Sequence, residues 1–130
     1  MVANKPPPTI LLVDDDPLIR QLGRELLEHL GFEVKTAAEA SLALEVFHRL
    51  EGVDLVILDY QLPGMDGYQL FQELRRRDAG VRVLMASGFL SAQEAARLQH
   101  SGVLGIIYKP YRLAELQQRI QAALTAASGS

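Results

Sequence analysis

Four places along the chain hold residues suited to chemistry: Asp14-Asp15-Asp16, Asp59, Ser87 and Lys109, each standing just after a short apolar run. Carboxylates gathered within about 4 to 5 Å repel by roughly 4 kcal/mol per pair at an effective dielectric of about 20, so such a cluster calls for a cation. Oxygen-only ligands with open coordination positions suit Mg²⁺, which keeps several waters and prefers carboxylates together with a phosphate oxygen. A lysine ammonium and a serine hydroxyl facing that ion complete a cage for a phosphoryl group, with Asp59 as the nucleophile.

These residues are far apart in sequence: 44 residues from Asp15 to Asp59, 28 from Asp59 to Ser87 and 22 from Ser87 to Lys109. Only a fold can gather them. Between Thr9 and about Ala126, short apolar runs alternate with stretches of helical periodicity, the pattern of a parallel sheet with helices on both faces. Thr9 to Val13 is the first strand. Asp16-Pro17 then supplies an N-cap and a first-turn proline for a helix whose apolar face is read as Leu18, Ile19, Leu22, Leu26, Leu27 and Leu30, stopped by Gly31. Phe32 to Lys35 is a short second strand, and Thr36 with Glu39 is read as a capping box for a helix burying Leu42, Val46, Phe47 and Leu50.

Val53 to Leu58 is nearly all apolar, as a central strand covered on both faces must be, and it runs straight into Asp59. The next helix begins around Asp66-Gly67 and turns Leu70, Phe71 and Leu74 inward; Pro63-Gly64 and Gly67 read as turn residues. Val81 to Met85 is the fourth strand, followed by a Ser91/Glu94 capping box and a helix to about His100, closed by Gly102. Leu104 to Tyr108 is the fifth strand, and after Lys109-Pro110 a last helix directs Leu113, Leu116 and Ile120 inward. In an open sheet of this kind ligands bind beyond the carboxyl ends of the strands, where the four chemical stretches all lie.

The stretches ILLVDDDPLIR at 10 to 20, VDLVILDYQLPGMDGYQL at 53 to 70, VLMASGF at 83 to 89 and GIIYKPYRLAEL at 105 to 116 together resemble the receiver domain of bacterial two-component signalling proteins, in response regulators and hybrid sensor kinases alike. The resemblance covers about residues 9 to 124. It implies a doubly wound, flavodoxin-like (βα)5 domain with strand order 2-1-3-4-5. It also implies that Asp59 accepts a phosphoryl group from the phosphohistidine of a histidine kinase or phosphotransfer protein. Asp15, Asp59 and the backbone carbonyl of Gln61 would hold Mg²⁺, or Mn²⁺ in its place, with Asp14 supporting through water. Ser87 would be the hydroxyl switch and Lys109 the phosphate partner, preceding a proline that such domains usually hold in cis. The surface of the fourth helix, fifth strand and fifth helix would carry the signal, and a homodimer through that surface is among the implied partners. Ile106 departs from the pattern, since Tyr or Phe usually stands there; Tyr108, on the same strand face, and Tyr111 are the aromatic residues available in its stead.

Each residue also has a plain structural reading. Asp16 is a helix cap, because Asp14 and Asp15 already fill the acidic pair of the motif. Ser87 alone would be a turn residue and Lys109 alone a strand-end surface residue, and their partners raise both. His29, His48 and His100 are lone residues on helices and read as solvated. Two rivals share the same acids. A small phosphatase or phosphotransferase using an aspartyl-phosphate intermediate usually needs a second acid two residues after the nucleophile, where this chain has Gln61; a degenerate receiver would not keep Asp14, Asp15, Asp59, Ser87 and Lys109 together. The chain is therefore expected to turn over no external substrate.

Composition narrows the rest. The length of 130 residues, with a formal charge of −3, indicates one domain and supplies no basic field for nucleic acid; Arg75-Arg76-Arg77 reads as the solvated end of a helix. The chain has no cysteine, which excludes a disulfide framework, a thiolate metal site and a cysteine nucleophile, and makes a cytoplasmic location the simplest expectation. No apolar run approaches the roughly 20 residues of a membrane span, so no membrane contact is expected. Residues 1–8, with three prolines, read as a tail or linker, 9–126 as the domain, and 127–130 as a second tail.

Overall fold

The computed structural model describes residues 6–126. The expected tail at 127–130, and residues 1–5 of the one at 1–8, lie outside them. Five strands, β1 (Thr9–Val13), β2 (Glu33–Ala37), β3 (Leu55–Asp59), β4 (Val83–Ser87) and β5 (Gly105–Tyr108), alternate with five helices. The helices are α1 (Pro17–His29), α2 (Ala40–Arg49), α3 (Gly67–Arg77), α4 (Ala92–Ser101) and α5 (Leu113–Thr125). All strand pairs are parallel and the sheet order is β2-β1-β3-β4-β5, as expected. Because the order reverses beside β1, the carboxyl ends of β1 and β3 flank the crevice where such sheets take ligands.

Strand alternation divides the core in two. Val56 and Leu58 face one layer, built with Ala43 of α2, Leu70, Phe71 and Leu74 of α3 and Leu98 of α4. Leu55 and Ile57 face the other, built with Leu27 of α1 and Leu116 and Ile120 of α5. β3 and β4 are buried along their whole length, which accounts for their apolar sequences up to the terminal Asp59 and Ser87. No helix among the described residues is long and apolar enough to cross a membrane.

Several sequence expectations shift. Thr36 is not a helix cap: it pairs with Leu12 in the β1–β2 ladder, so β2 runs to Ala37 and α2 starts at Ala40 behind Glu39, whose side chain caps nothing. β3 begins at Leu55 and takes in Asp59, and β4 spans 83–87 instead of 81–85, because the first β3–β4 partners are Val56 and Val83. Ser87 is thereby the last residue of β4, and β5 starts at Gly105, one residue later than read. On α1, Leu18 is 80 % and Leu22 40 % exposed, so neither belongs to the inner face. The inner stripe runs instead through Ile19, Gly23 and Leu27, and a Cβ on Gly23 would stand 2.8 Å from Leu12 Cδ2 and 3.1 Å from the Tyr111 ring. Counting only apolar side chains rotated the stripe away from the glycine. Leu113, at the first turn of α5, is exposed as well.

Candidate functional site

The site is assembled from strand ends. The Asp14 N–H donates to the Ala37 carbonyl at 3.1 Å, which extends the β1–β2 pairing by one residue and buries Asp14 completely. Its Oδ1 accepts from the Asp16 N–H at 2.9 Å, and Asp16 in turn caps α1 by accepting from the Leu18 and Ile19 N–H groups. Asp16 is thus the cap it was read as, while Asp15 between them faces solvent. Asp59 is 5 % exposed at the end of β3, and its Oδ1 accepts from the Gln61 N–H at 3.1 Å.

Glycine at position 67 is required by close approach and not by turn geometry, contrary to the sequence reading. As the first residue of α3, it sits where a Cβ would lie 2.7 Å from the Asp59 carbonyl oxygen and 2.8 Å from Tyr60 Cα and Met85 Sδ. The Gly67 N–H donates to the Tyr60 carbonyl at 2.7 Å, which ties the start of α3 to the loop after Asp59. Gly64, by contrast, has a φ of 77° and is a turn residue as expected.

Oxygen atoms of Asp14, Asp15 and Asp59 lie within 4.8 Å of one another. Lys109 Nζ bridges two of these residues, 2.7 Å from Asp14 Oδ2 and 3.0 Å from Asp59 Oδ2. The Lys109 N–H donates to the Ser87 carbonyl at 2.9 Å, and the Lys109-Pro110 peptide is cis, as the sequence resemblance implies. Burial pushes the Asp59 carboxyl above its ordinary range; Lys109 and the Gln61 N–H oppose that shift without cancelling it, and the Asp14 charge adds to it. Burial also works against the Lys109 charge, yet its bonds to Asp14 and Asp59 prevail and hold the ammonium above the usual lysine range.

Ser87 is fully buried beside these groups, since its neighbour Ala86 pairs with Asp59. Its hydroxyl is turned to its own loop: Oγ donates to the Phe89 carbonyl at 2.7 Å and accepts from the Phe89 N–H at 3.2 Å. Phe89 itself is 74 % exposed at the rim. Asp14, Asp15, Asp59 and Lys109 are therefore in place together, whereas the Ser87 hydroxyl is bonded to Phe89. Tyr108 is exposed opposite Ser87 on β5, whereas Tyr111 is buried against α1 and α5, away from α4. Ile106 is itself core, and the Tyr111 hydroxyl is pushed up by burial and by the charges of Asp14 and Asp59 nearby.

The donor set fits a hard divalent ion. All its groups are oxygens, two carboxylates are fixed by burial and hydrogen bonds, and exposed Asp15 leaves one side open to water and a phosphoryl oxygen. Two contributors escaped the sequence reading. Arg20 Nη1 donates to the Asp14 carbonyl at 2.8 Å and so fixes the acidic turn from α1. A cation in the first turn of a helix opposes the helix dipole, and that local misfit was the available signal. Tyr60, next to Asp59, accepts at its hydroxyl oxygen a 2.6 Å hydrogen bond from Arg97 of α4, a link between distant segments that no local pattern announces.

Comparisons with known proteins agree with this geometry. The family described as "Response regulator receiver domain" matches residues 10–121. The transcriptional regulatory protein GlrR of Escherichia coli (strain K12) is 39 % identical over 119 residues, covering 91 % of this chain and 26 % of GlrR. The sensor kinase CckA of Brucella abortus (strain 2308) is 33 % identical over 117 residues, covering 89 % of this chain and 12 % of CckA. The chain thus spans a minor part of these curated relatives. Among solved structures, the CheX–CheY–BeF3–Mg²⁺ complex from Borrelia burgdorferi superposes with a TM-score of 0.85 at 26 % identity, covering 92 % of this chain and 91 % of that one.

Proposed function

This chain belongs to the response regulator receiver domain family, and from that premise we propose that it takes a phosphoryl group onto Asp59 from the phosphohistidine of a histidine kinase or phosphotransfer protein. The observation that carries the reading is the Lys109 ammonium bridging the Asp14 and Asp59 carboxylates at 2.7 and 3.0 Å within a cluster of three acids. In the transfer, an Asp59 carboxylate oxygen attacks the phosphorus and a new O–P bond forms as the N–P bond of the phosphoimidazole breaks. The imidazole nitrogen leaves with the electron pair and regains its proton balance from solvent.

Asp14, Asp15, Asp59 and the Gln61 backbone carbonyl would hold Mg²⁺, which when bound offsets the charge on the phosphoryl oxygens and the attacking carboxylate. Lys109 follows the new charge, moving its bond from the Asp59 carboxylate to a phosphoryl oxygen. Ser87 gives up the Phe89 carbonyl and donates to another phosphoryl oxygen, which draws the β4–α4 loop toward the site. The consequence is a change of the α4, β5 and α5 surface, read by a partner or by a second copy of the chain. The chain turns over no external substrate in this scheme; its chemistry is its own phosphorylation and dephosphorylation. The match to a short part of CckA supports a module of a hybrid kinase as one setting, and a cysteine-free chain supports the cytoplasm.

Incubation with acetyl phosphate and Mg²⁺ tests the reading by intact mass. A phosphoryl adduct lost on hydroxylamine treatment and absent from Asp59→Asn is the expected result; an adduct of the same yield in Asp59→Asn places the nucleophile elsewhere.

A further inference from the structure

Tyr60 occupies an unusual junction. Its N–H donates to the Ala86 carbonyl at 2.8 Å and its carbonyl accepts from the Gly67 N–H, so its backbone is pinned between β4 and the start of α3 directly after Asp59. Its ring is 5 % exposed in the core layer shared with α3 and α4, and its hydroxyl is the acceptor of the 2.6 Å bond from Arg97. Arg97 also lies over the Tyr68 ring, 4.5 Å from its centroid, and 4.0 Å from the Asp66 carboxylate that caps α3.

α4 otherwise sits lightly on the sheet. Leu98 is its one fully buried residue among those described, and its far end is held by another arginine, Arg75 of α3, which bonds the Ser101 carbonyl. Arg97 is therefore a main fastening between the middle of α4 and the residue next to Asp59. The Tyr60–Arg97 bond stands together with Lys109 on Asp59 and Ser87 on Phe89, in a site that carries no phosphoryl group.

We propose that the Tyr60–Arg97 bond holds α4 in its unphosphorylated position, so that Arg97 is the positioning residue against which the pull of Ser87 and the β4–α4 loop must act. This rests on Asp59 being the phosphoacceptor. It assigns to a tyrosine directly after β3 the restraint that Ile106, being aliphatic, cannot supply by hydrogen bonding. A contact made in only one of two states shifts their balance when removed, and the ligand that favours the other state then binds more tightly.

Tyr60→Phe removes only the hydroxyl and keeps the ring in the core; Arg97→Gln removes the other partner. Two readouts are taken: amide hydrogen exchange of α4 in the free protein, and affinity for beryllofluoride with Mg²⁺, measured from the titrated shift of a site amide. The expected result is faster exchange along α4 in both variants and mimic binding tighter by about 3- to 10-fold, the scale of one lost hydrogen bond. Adding Tyr60→Phe to Arg97→Gln should change nothing further, because Arg97→Gln already cuts the shared link as well as its contacts with Tyr68 and Asp66. Wild-type exchange and wild-type affinity in Tyr60→Phe, or additive effects in the double variant, overturn the proposal while leaving Asp59 as acceptor. If the wild type itself binds no beryllofluoride, the reading of Asp59 fails and the proposal with it.

Discussion

Asp59 and Lys109 lie 3.0 Å apart, yet their removal should have opposite effects. Burial raises the Asp59 carboxyl above its ordinary range, so the charged form is worse off folded than unfolded. The stability this costs is absent at low pH and is incurred as pH rises from about 4 through the folded value. Asp59→Asn removes that cost, and we expect thermal melts of the two proteins to coincide near pH 4 and to separate toward pH 7. The variant should then be the more stable by about 1 kcal/mol, and it should take no phosphoryl group. A variant less stable than wild type at neutral pH would contradict the sign. Lys109 has the reverse linkage: its raised folded value contributes stability that is complete below the ordinary lysine range and lost above the folded value. Lys109→Ala leaves Asp14 and Asp59 facing each other unpaired. A loss of about 2 to 3 kcal/mol at pH 7 is expected in denaturant titrations without metal.

At the scale of elements, the close seating of α3 on β3 decides whether Asp59 is placed at all. A methyl group on Gly67 would meet the Asp59 carbonyl oxygen and Tyr60 Cα, which are backbone and cannot turn aside. Gly67→Ala should therefore cost about 2 kcal/mol or more and slow phosphorylation together with it, whereas Gly88→Ala, with nothing within 4 Å of its added methyl, should do neither. Equal melting temperatures for these two variants would deny the close approach. The same contact explains what the sequence could and could not reveal. Asp14, Asp59 and Lys109 were legible because each ends an apolar strand, and a parallel sheet collects strand ends on one edge. The capping boxes at Ser91 and Asp66 obey local rules, and the one at Ser91 was read correctly. Gly67 was misread because its neighbours come from β3 and β4, and the Thr36 cap failed because pairing with Leu12 outweighed a local preference. Arg97 on Tyr60 joins residues 37 positions apart and leaves no periodic trace.

For the molecule as a whole, the buried strands stabilise the fold while the acidic edge opposes it. Complete burial of a Leu or Ile contributes about 1.5 to 3 kcal/mol, and Ile10, Leu11, Leu12, Leu55, Ile57 and Leu58 are all buried beside the edge they support. That surplus allows the molecule to keep Asp14, Asp15 and Asp59 crowded, with a single lysine bridging two of them. An ion that binds this cluster has no comparable site in the unfolded chain, so binding free energy becomes folding free energy. At ten times its dissociation constant, Mg²⁺ should add about 1.4 kcal/mol, which for a domain of this size is a rise in melting temperature of roughly 4 to 6 °C. Asp15 is the informative position for a variant, because its side chain is exposed and its loss should leave the metal-free melt near that of wild type. Asp15→Asn should remove most of the Mg²⁺-dependent rise, and the rise in wild type should shrink as pH falls into the carboxylate range and protons displace the ion. Melting curves recorded with and without Mg²⁺ at two pH values measure all of this; a wild-type curve indifferent to Mg²⁺ at neutral pH would leave the acidic edge without its cation.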